Sequence, residues 1–314
     1  LLTLHRGDQA LHIPQPLVKT SALHNPCVPE QGWPAERCSF TQKQLDEISA
    51  IKQRHARTCL NPSASLRVNP SQSSCHDLLL TETLPGLVSI LIPFRDRVEL
   101  TKTCVHSLQA NASDSVPFEI ILIDNGSEED CTKAWIQEIT QSTNIHCLRI
   151  DEPFNFSRLN NLARKVCNGD HLLFLNNDIE FLSPNVLNQL LDPFAHPGTA
   201  AVGTRLLYPD RSIQHQGVVI IKGERRCVLE PGKHLHHPEV IDGLIPLKVQ
   251  EDFSAASAAC LLVKADRFDA IGGFNEELAV VFNDVDLCLR LREAGGHIVV
   301  TPHPTIIHHE SVSR

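Results

Sequence analysis

The rhythm of apolar and polar positions changes at Leu87. From there LVSILIPF is a short continuous apolar run, rich in β-formers and closed by Pro93 and Phe94. That pattern predicts a strand buried on both faces of a parallel sheet. Val98, Thr101, Cys104, Val105 and Leu108 then repeat at helical spacing. A second buried strand is predicted over 118–123, then a helix with Cys131, Trp135 and Ile139 on one face. A strand over 145–150, a helix over 157–166 and a strand over 171–175 follow. Ser183-Pro184 predicts a helix start, as cap and first-turn proline, with Val186, Leu187, Leu190, Leu191 and Phe194 facing inward. Strands over 199–207 and 213–221 are joined by a turn at Pro209-Asp210. A strand over 257–263 and a short helix over 266–271 lead to Gly272-Gly273. A helix over 283–294, with Leu287, Leu291 and Ala294 inward, precedes short strands over 297–300 and 305–307. Strands alternating with helices of this length predict an α/β fold, a mostly parallel central sheet with helices on both faces.

Residues 1–86 lack this rhythm. They hold eight of the 20 prolines, and their apolar residues are scattered. A helix is predicted over 42–57, with Leu45, Ile48 and Ile51 at helical spacing, and a polar linker over 61–74. The region reads as an extension or linker without chemistry, and 87–314 as the main domain. The stretch 222–252 reads as irregular and is long for a structureless connection. Its histidines His234, His236 and His237 show no metal-ligand spacing and predict an exposed loop.

Composition narrows the function classes. With 42% hydrophobic and 21% charged residues the chain has the profile of an ordinary globular protein. A net charge of −9 argues against a general nucleic-acid binder, which would carry a basic face. No apolar run approaches the ~18 residues that span a membrane, and no charged-then-apolar leader opens the chain. The 11 cysteines include no C-x-x-C pair, which fits neither a zinc site nor a disulfide framework and suits a reducing cytosol. Cys104, Cys131 and Cys288 are expected on apolar helix faces, as small hydrophobes. The chain contains no methionine, which suggests a fragment. There is no phosphate-loop motif, no G-x-G-x-x-G after the first strand and no G-x-S-x-G elbow. A P-loop kinase, a nicotinamide dehydrogenase and an α/β hydrolase are therefore disfavoured.

Four polar clusters sit past predicted strand ends or at helix starts: Asp124-Asn125, Asn176-Asn177-Asp178, Asn283-Asp284 with Asp286, and His308-His309-Glu310. The carboxyl ends of strands in an open parallel sheet converge on one crevice, so the first two clusters should lie side by side. Asp178 is a hard oxygen ligand suited to Mg²⁺ or Mn²⁺. Each cluster also has a plainer role. Asn-Asn-Asp is a common turn sequence, and Asp124 could open an Asn-Gly hairpin. Asn283 could cap a helix whose first turn is acidic, and His308 and His309 could be packed histidines.

From Leu87 onward the chain resembles an inverting family 2 glycosyltransferase of the GT-A fold, of the bacterial type that builds cell-surface polysaccharides. The matching segments, in order, are VSILIPFRDR, EIILIDNGS, DEPFNFSRLNN, HLLFLNNDIE, VGTRLLYPDRSIQHQGVV, FSAASAACLLV, GGFNEELAVVFNDVDLCLRLREAG and HHESVSR. The resemblance implies that Pro93, Phe94, Arg95 and Asp96 line a nucleotide pocket and that Asp124, beside Asn125, hydrogen-bonds the base. Asn155 and Asn161 would flank the nucleotide. Asn176, Asn177 and Asp178 stand at the family's Asp-x-Asp motif, with Asn177 near the ribose and Asp178 on a divalent metal, Mn²⁺ or Mg²⁺. His308, in preference to His309, matches a late histidine that joins the metal. Asp284 matches the catalytic base, and Gly272, Gly273 and Glu276 the acceptor loop. Asn176 and Asn283 replace acidic residues of the family pattern. The implied activity is transfer of a hexosyl or deoxyhexosyl unit from a UDP- or dTDP-sugar to a glycan or lipid-linked acceptor. It would take place in the cytoplasm, at the inner membrane face for a lipid-linked acceptor, in a domain whose C-terminal part is missing. A sugar nucleotidyltransferase is the rival enzyme, though PFRDR lacks the Gly-rich loop it should carry. A catalytically inactive binding remnant is the rival of another class.

Overall fold

A computed structural model describes residues 2–6, 9–13, 86–196, 198–221, 227–229 and 251–309. The expected helix over 42–57, the linker over 61–74, His234, His236, His237 and Glu310 lie outside them. The chain divides into two compact units, Leu1–Ile48 and Ser49–Arg314. In the first, β1 (Leu2–Arg6) pairs antiparallel with β2 (Gln9–Ile13), Leu2 opposite Ile13. The pattern of apolar positions there is too short to have predicted this pair.

The second unit is built on a ten-stranded sheet. Its first half is parallel: β3 (Val88–Phe94), β4 (Phe118–Asp124), β5 (Ile145–Arg149) and β6 (His171–Leu175) stand in the order β6-β3-β4-β5. The crossovers are α1 (Val98–Asn111), α2 (Asp130–Ile139) and α3 (Phe156–Arg164). The continuous apolar runs are explained by burial on both faces. Ile120 and Leu122 of β4 enter one core cluster while Ile121 and Ile123 enter the other. Side chains from α1, α2 and α4 (Val186–Leu191) join the first cluster, and those of α3, α5 (Ala265–Ala270) and α6 (Asn283–Glu293) the second.

The other half is mixed rather than parallel. β13 (Cys260–Lys264) runs antiparallel between β6 and β8 (Thr199–Leu207), and β14 (His297–His308) lies parallel to β8. β14 is one continuous strand, with a register shift between Thr301 and Ile306, where two short strands were expected. Conversely, 213–221 forms two strands, β9 (Ile213–His215) and β10 (Val219–Ile221). Gly217 separates them at φ +92, with the Phe253 ring 2.5 Å from where a Cβ would stand. Only glycine fits that backbone and that gap. The stretch 222–252, expected to be irregular, contributes β11 (Cys227–Leu229) and the start of β12 (Glu251–Phe253), which pairs with β14. β7 (Ile179–Phe181) pairs antiparallel with the end of β14.

Several local expectations change. The buried face of α2 is Thr132 and Trp135, and Cys131 is exposed. Ala294 is exposed just past α6. Ser183 does not cap α4, whose N-cap is Asn185 in left-handed conformation; the Ser183 hydroxyl instead accepts from the Thr305 amide at 2.9 Å. Asn283 is likewise not a cap but the first helical residue, after a left-handed Phe282.

Candidate active site

The order β6-β3-β4-β5 reverses direction at β3, because β6 returns to the opposite side of it from β4. Such a switch point opens a crevice at the carboxyl ends of the strands. β3 itself therefore lies between the Asp124 and Asn176–Asp178 clusters, which flank it one strand apart on either side.

β6 ends at Leu175, and the next three residues turn the chain into β7. Asp178 is only 3% exposed, and its carboxylate lies 3.1 Å from Nε2 of His308, which is 9% exposed. Asn176 Nδ2 is 3.3 Å from the same nitrogen, across 132 positions of sequence. The pairing of β7 with β14 brings them together: His308 stands opposite Ile179, next to Asp178. The His309 amide donates to the Asp178 carbonyl, and its ring points to Glu180 at 2.9 Å. Of the two histidines, His308 is the one against Asp178. Its other ring nitrogen meets Gln214 Oε1 at 2.6 Å. Asn177 donates to the Thr101 hydroxyl at 3.1 Å, at the first turns of α1.

A carboxylate oxygen and an imidazole nitrogen at hydrogen-bond distance, both buried, form a donor pair chemically suited to Mn²⁺ or Mg²⁺. Among the described residues no group of three or more His, Cys, Asp or Glu converges on such a point. Two protein donors would leave the remaining coordination positions of such a cation to oxygens from outside the protein.

Asp284 opens α6. Its Oδ2 accepts from the Ala258 amide at 3.2 Å and its Oδ1 from the Val285 amide at 2.8 Å. Burial pushes its carboxyl above the ordinary range, against these hydrogen bonds, which act the other way. One residue further on, the Ala259 carbonyl accepts from the Asn176 amide at 3.0 Å. The segment 257–259 thus ties Asp284 directly to the Asn-Asn-Asp turn.

The other predicted site residues are held by the protein's own bonds. Pro93 is buried at the end of β3, and Phe94 packs its ring edge-on against Trp135, 6.3 Å between centroids, on the core side. Arg95 is exposed near Glu128 at 3.7 Å. Asp96 accepts from the amides of Glu128 and Glu129 at 2.8 and 2.9 Å, just before α2. Asp124 Oδ1 accepts from the Ser127 amide at 2.7 Å, and Arg149 donates to its Oδ2 at 2.8 Å. Arg149 also grips Asp151 through two nitrogens. Asn125 donates to the carbonyls of Ile150 and Glu152.

Asn155 and Asn161 act on the loop before α6. Asn155 caps α3 by accepting from the Arg158 amide and donates to the Glu276 carbonyl at 2.8 Å. Asn161 accepts from the Phe274 amide, donates to its carbonyl, and donates to the Glu276 carboxylate at 3.1 Å. Hydrogen bonds from Asn161 and then Arg158 hold the Glu276 carboxyl below its ordinary value. Gly272 and Gly273 both have positive φ, and a Cβ on Gly273 would stand 2.6 Å from Asn161 Oδ1. The predicted nucleotide-flanking and acceptor residues are therefore one clamp.

Sequence reasoning did not single out Gln214, His215, Arg149 or Ala258. The run QHQG at 214–217 read as strand, and no local signal says that its polar side chains face inward.

Residues 89–232 match the family described as glycosyl transferase family 2. The chain is 39% identical over 270 residues to the uncharacterized protein y4gI of Sinorhizobium fredii, covering 84% of this chain and 29% of that protein. It is 35% identical over 227 residues to the O-antigen biosynthesis protein RfbC of Myxococcus xanthus, covering 72% and 18%. The chain thus spans under a third of the length of either relative. An N-acetylglucosaminyl-diphospho-decaprenol L-rhamnosyltransferase of Mycobacterium tuberculosis is 25% identical over 218 residues, covering 63% of this chain and 68% of that protein. Among solved structures, GalNAc-T7 with UDP, GalNAc and Mn²⁺ superposes with a TM-score of 0.56 at 16% identity, over 71% of this chain and 43% of that one. Mannosyltransferase PcManGT from Pyrobaculum calidifontis, in complex with GDP-Man and Mn²⁺, gives 0.53 at 12%, over 85% and 67%. The two share the GT-A fold with this chain.

Proposed function

This chain carries a glycosyl transferase family 2 domain, and from that premise we propose that it is an inverting glycosyltransferase using a UDP- or dTDP-sugar. The acceptor is a hydroxyl of a glycan or lipid-linked molecule. The observation that carries this reading is the meeting of Asp178 and His308 at 3.1 Å beside Asn176, itself tied to Asp284 through Ala258 and Ala259.

A divalent cation held by Asp178 and His308 would supply positive charge for the departing diphosphate. Asp284 accepts the proton of the acceptor hydroxyl as it attacks. A carboxyl whose pKa is raised by burial is a stronger base than an exposed one. A base that acts on the acceptor hydroxyl directly, without a covalent sugar–enzyme intermediate, corresponds to a single displacement with inversion. The Asn155–Asn161 clamp fixes the loop leading to Asp284, and so contributes to holding acceptor and donor in line. Residues 87–314 act as the transferase domain and 1–86 as its extension. The relatives named for O-antigen biosynthesis and for a diphospho-decaprenol acceptor support a role in cell-surface polysaccharide assembly. We propose that the reaction runs in the cytoplasm, at the inner membrane face where the acceptor is lipid-linked.

A binding remnant is the second reading, favoured by Asn176 and Asn283 where the resemblance has acidic residues. Calorimetric titration of UDP and dTDP, with and without Mn²⁺, into this chain and into Asp178→Ala tests the first. Metal-dependent binding lost in the variant is expected. No binding by the folded, unmutated chain would overturn it. Binding without turnover of any sugar nucleotide would favour the remnant.

A further inference from the structure

Two neighbouring side chains of β9 reach two different parts of the site. Gln214 Oε1 is 2.6 Å from His308 Nδ1. His215 Nε2 accepts from the Ser257 amide at 3.0 Å and from the Gly217 amide at 3.1 Å. Both residues are 6% exposed, so these contacts form away from bulk water. The strand is also irregular. Leu206 pairs with His215 and Leu207 with Ile213, leaving Gln214 as the extra residue of a bulge. Bulges of this kind re-aim a side chain beside active sites.

From this geometry we infer that Gln214 and His215 are positioning residues, one for each half of the chemistry. Gln214 accepts the Nδ1 proton of His308. That fixes the tautomer in which Nε2, the nitrogen beside Asp178, carries the lone pair a cation needs. His215, accepting two amides at Nε2, carries its own proton on Nδ1. It pins the backbone at Ser257, and the next amide, Ala258, is the one that donates to Asp284. The bulge thus serves metal-ligand orientation and base orientation from a single short strand while keeping the two contacts separate. This inference rests on the transferase reading of the site, and it goes beyond that reading by assigning two residues that touch neither substrate nor metal.

The test uses the full chain and two readouts that need no sugar donor. Mn²⁺ alone is titrated and free Mn²⁺ is followed by its electron paramagnetic resonance signal. Amide hydrogen exchange is followed at Ser257 and Ala258. Gln214→Leu is expected to weaken Mn²⁺ binding about 10-fold or more, as loss of an outer-shell partner does, with exchange at 257–258 unchanged. Gln214→Met, nearer in shape, carries the same expectation should the leucine variant not fold. Gln214→Glu keeps an acceptor oxygen and should retain the affinity. His215→Leu is expected to speed exchange at Ser257 by about tenfold, the worth of one net hydrogen bond, with Mn²⁺ affinity unchanged. His215→Gln, which keeps an acceptor, should restore slow exchange. Equal Mn²⁺ affinity in Gln214→Leu or Gln214→Met would overturn the inference. So would variants with native circular dichroism in which both readouts move together. If the unmutated chain binds no Mn²⁺, the metal reading of the site fails and the inference falls with it. If the unmutated chain binds Mn²⁺ and the variants do not separate, only the inference fails.

Discussion

Asp284 carries the most chemistry per atom, and its environment can be read in two independent ways. Its carboxylate accepts two backbone amides, which favour charge, yet burial outweighs them and raises its pKa. As the proposed base it must be ionised to work. The acid limb of the rate profile is therefore expected to lie above the ordinary carboxylate range, and Asp284→Asn to lower turnover by about 10²–10⁴-fold. Nucleotide binding, measured by calorimetry, should survive that change. Loss of both together would sink the assignment. Stability should move the other way. A pKa higher in the folded than in the unfolded chain contributes stability below the unfolded value, about 4, and that contribution is lost as pH rises through the folded value. Asp284→Asn stays neutral throughout. It should melt above the unmutated protein at pH 7, and the difference should close below about pH 4.

At the scale of elements, two short pieces of backbone carry unusual constraints. The single-turn 3-10 helix at Asp192–Ala195 follows α4 directly, and burial pushes the Asp192 carboxyl up to about 7. The sign is the same as for Asp284: stability is lost as pH rises through about 7. Asp192→Asn should therefore stabilise the fold at pH 8 and make little difference below about pH 4, as thermal melts across pH would show. The second piece is the clamp on the loop before α6. Gly273→Ala would put a methyl 2.6 Å from Asn161 Oδ1 at a φ of +75. A cost of about 1–3 kcal/mol is expected, seen as a lower denaturation midpoint. Gly272, with nothing near its missing Cβ, should tolerate alanine better although its φ is also positive.

For the molecule as a whole, the candidate metal site is a staple. Asp178 comes from the turn after β6 and His308 from the end of β14, and β7 pairs with β14 to bring them together. Mn²⁺ with UDP or dTDP at about 100 times its dissociation constant should stabilise the fold by about 2.7 kcal/mol through mass action. Asp178→Ala should abolish that increment in a thermal melt. A rise in melting temperature that persists in Asp178→Ala would place the ligand elsewhere.

Much of this was written locally. The buried strands after Leu87 and the inward face of α1 follow from apolar runs and helical spacing, because burial on both sheet faces demands them. Asp178 could be singled out because short polar residues at a strand end are poor core material, whereas Asp284 and His308 took their roles from the family resemblance, since locally they fit a helix start and packed histidines equally well. What sequence could not supply was partnership. The antiparallel insertion of β13, the continuity of β14 and the break at Gly217 depend on contacts between distant strands. A left-handed start for α4 and α6 depends on the preceding loop rather than on cap chemistry. Asn155 and Asn161, expected against a nucleotide, hold a loop more than a hundred residues away. Gln214 and His215 read as ordinary strand. Local pattern determines which segments form elements and which residues are too polar for the core. Only the folded sheet decides which of those residues meet, because hydrogen-bond partners far apart in sequence leave no periodic trace along the chain.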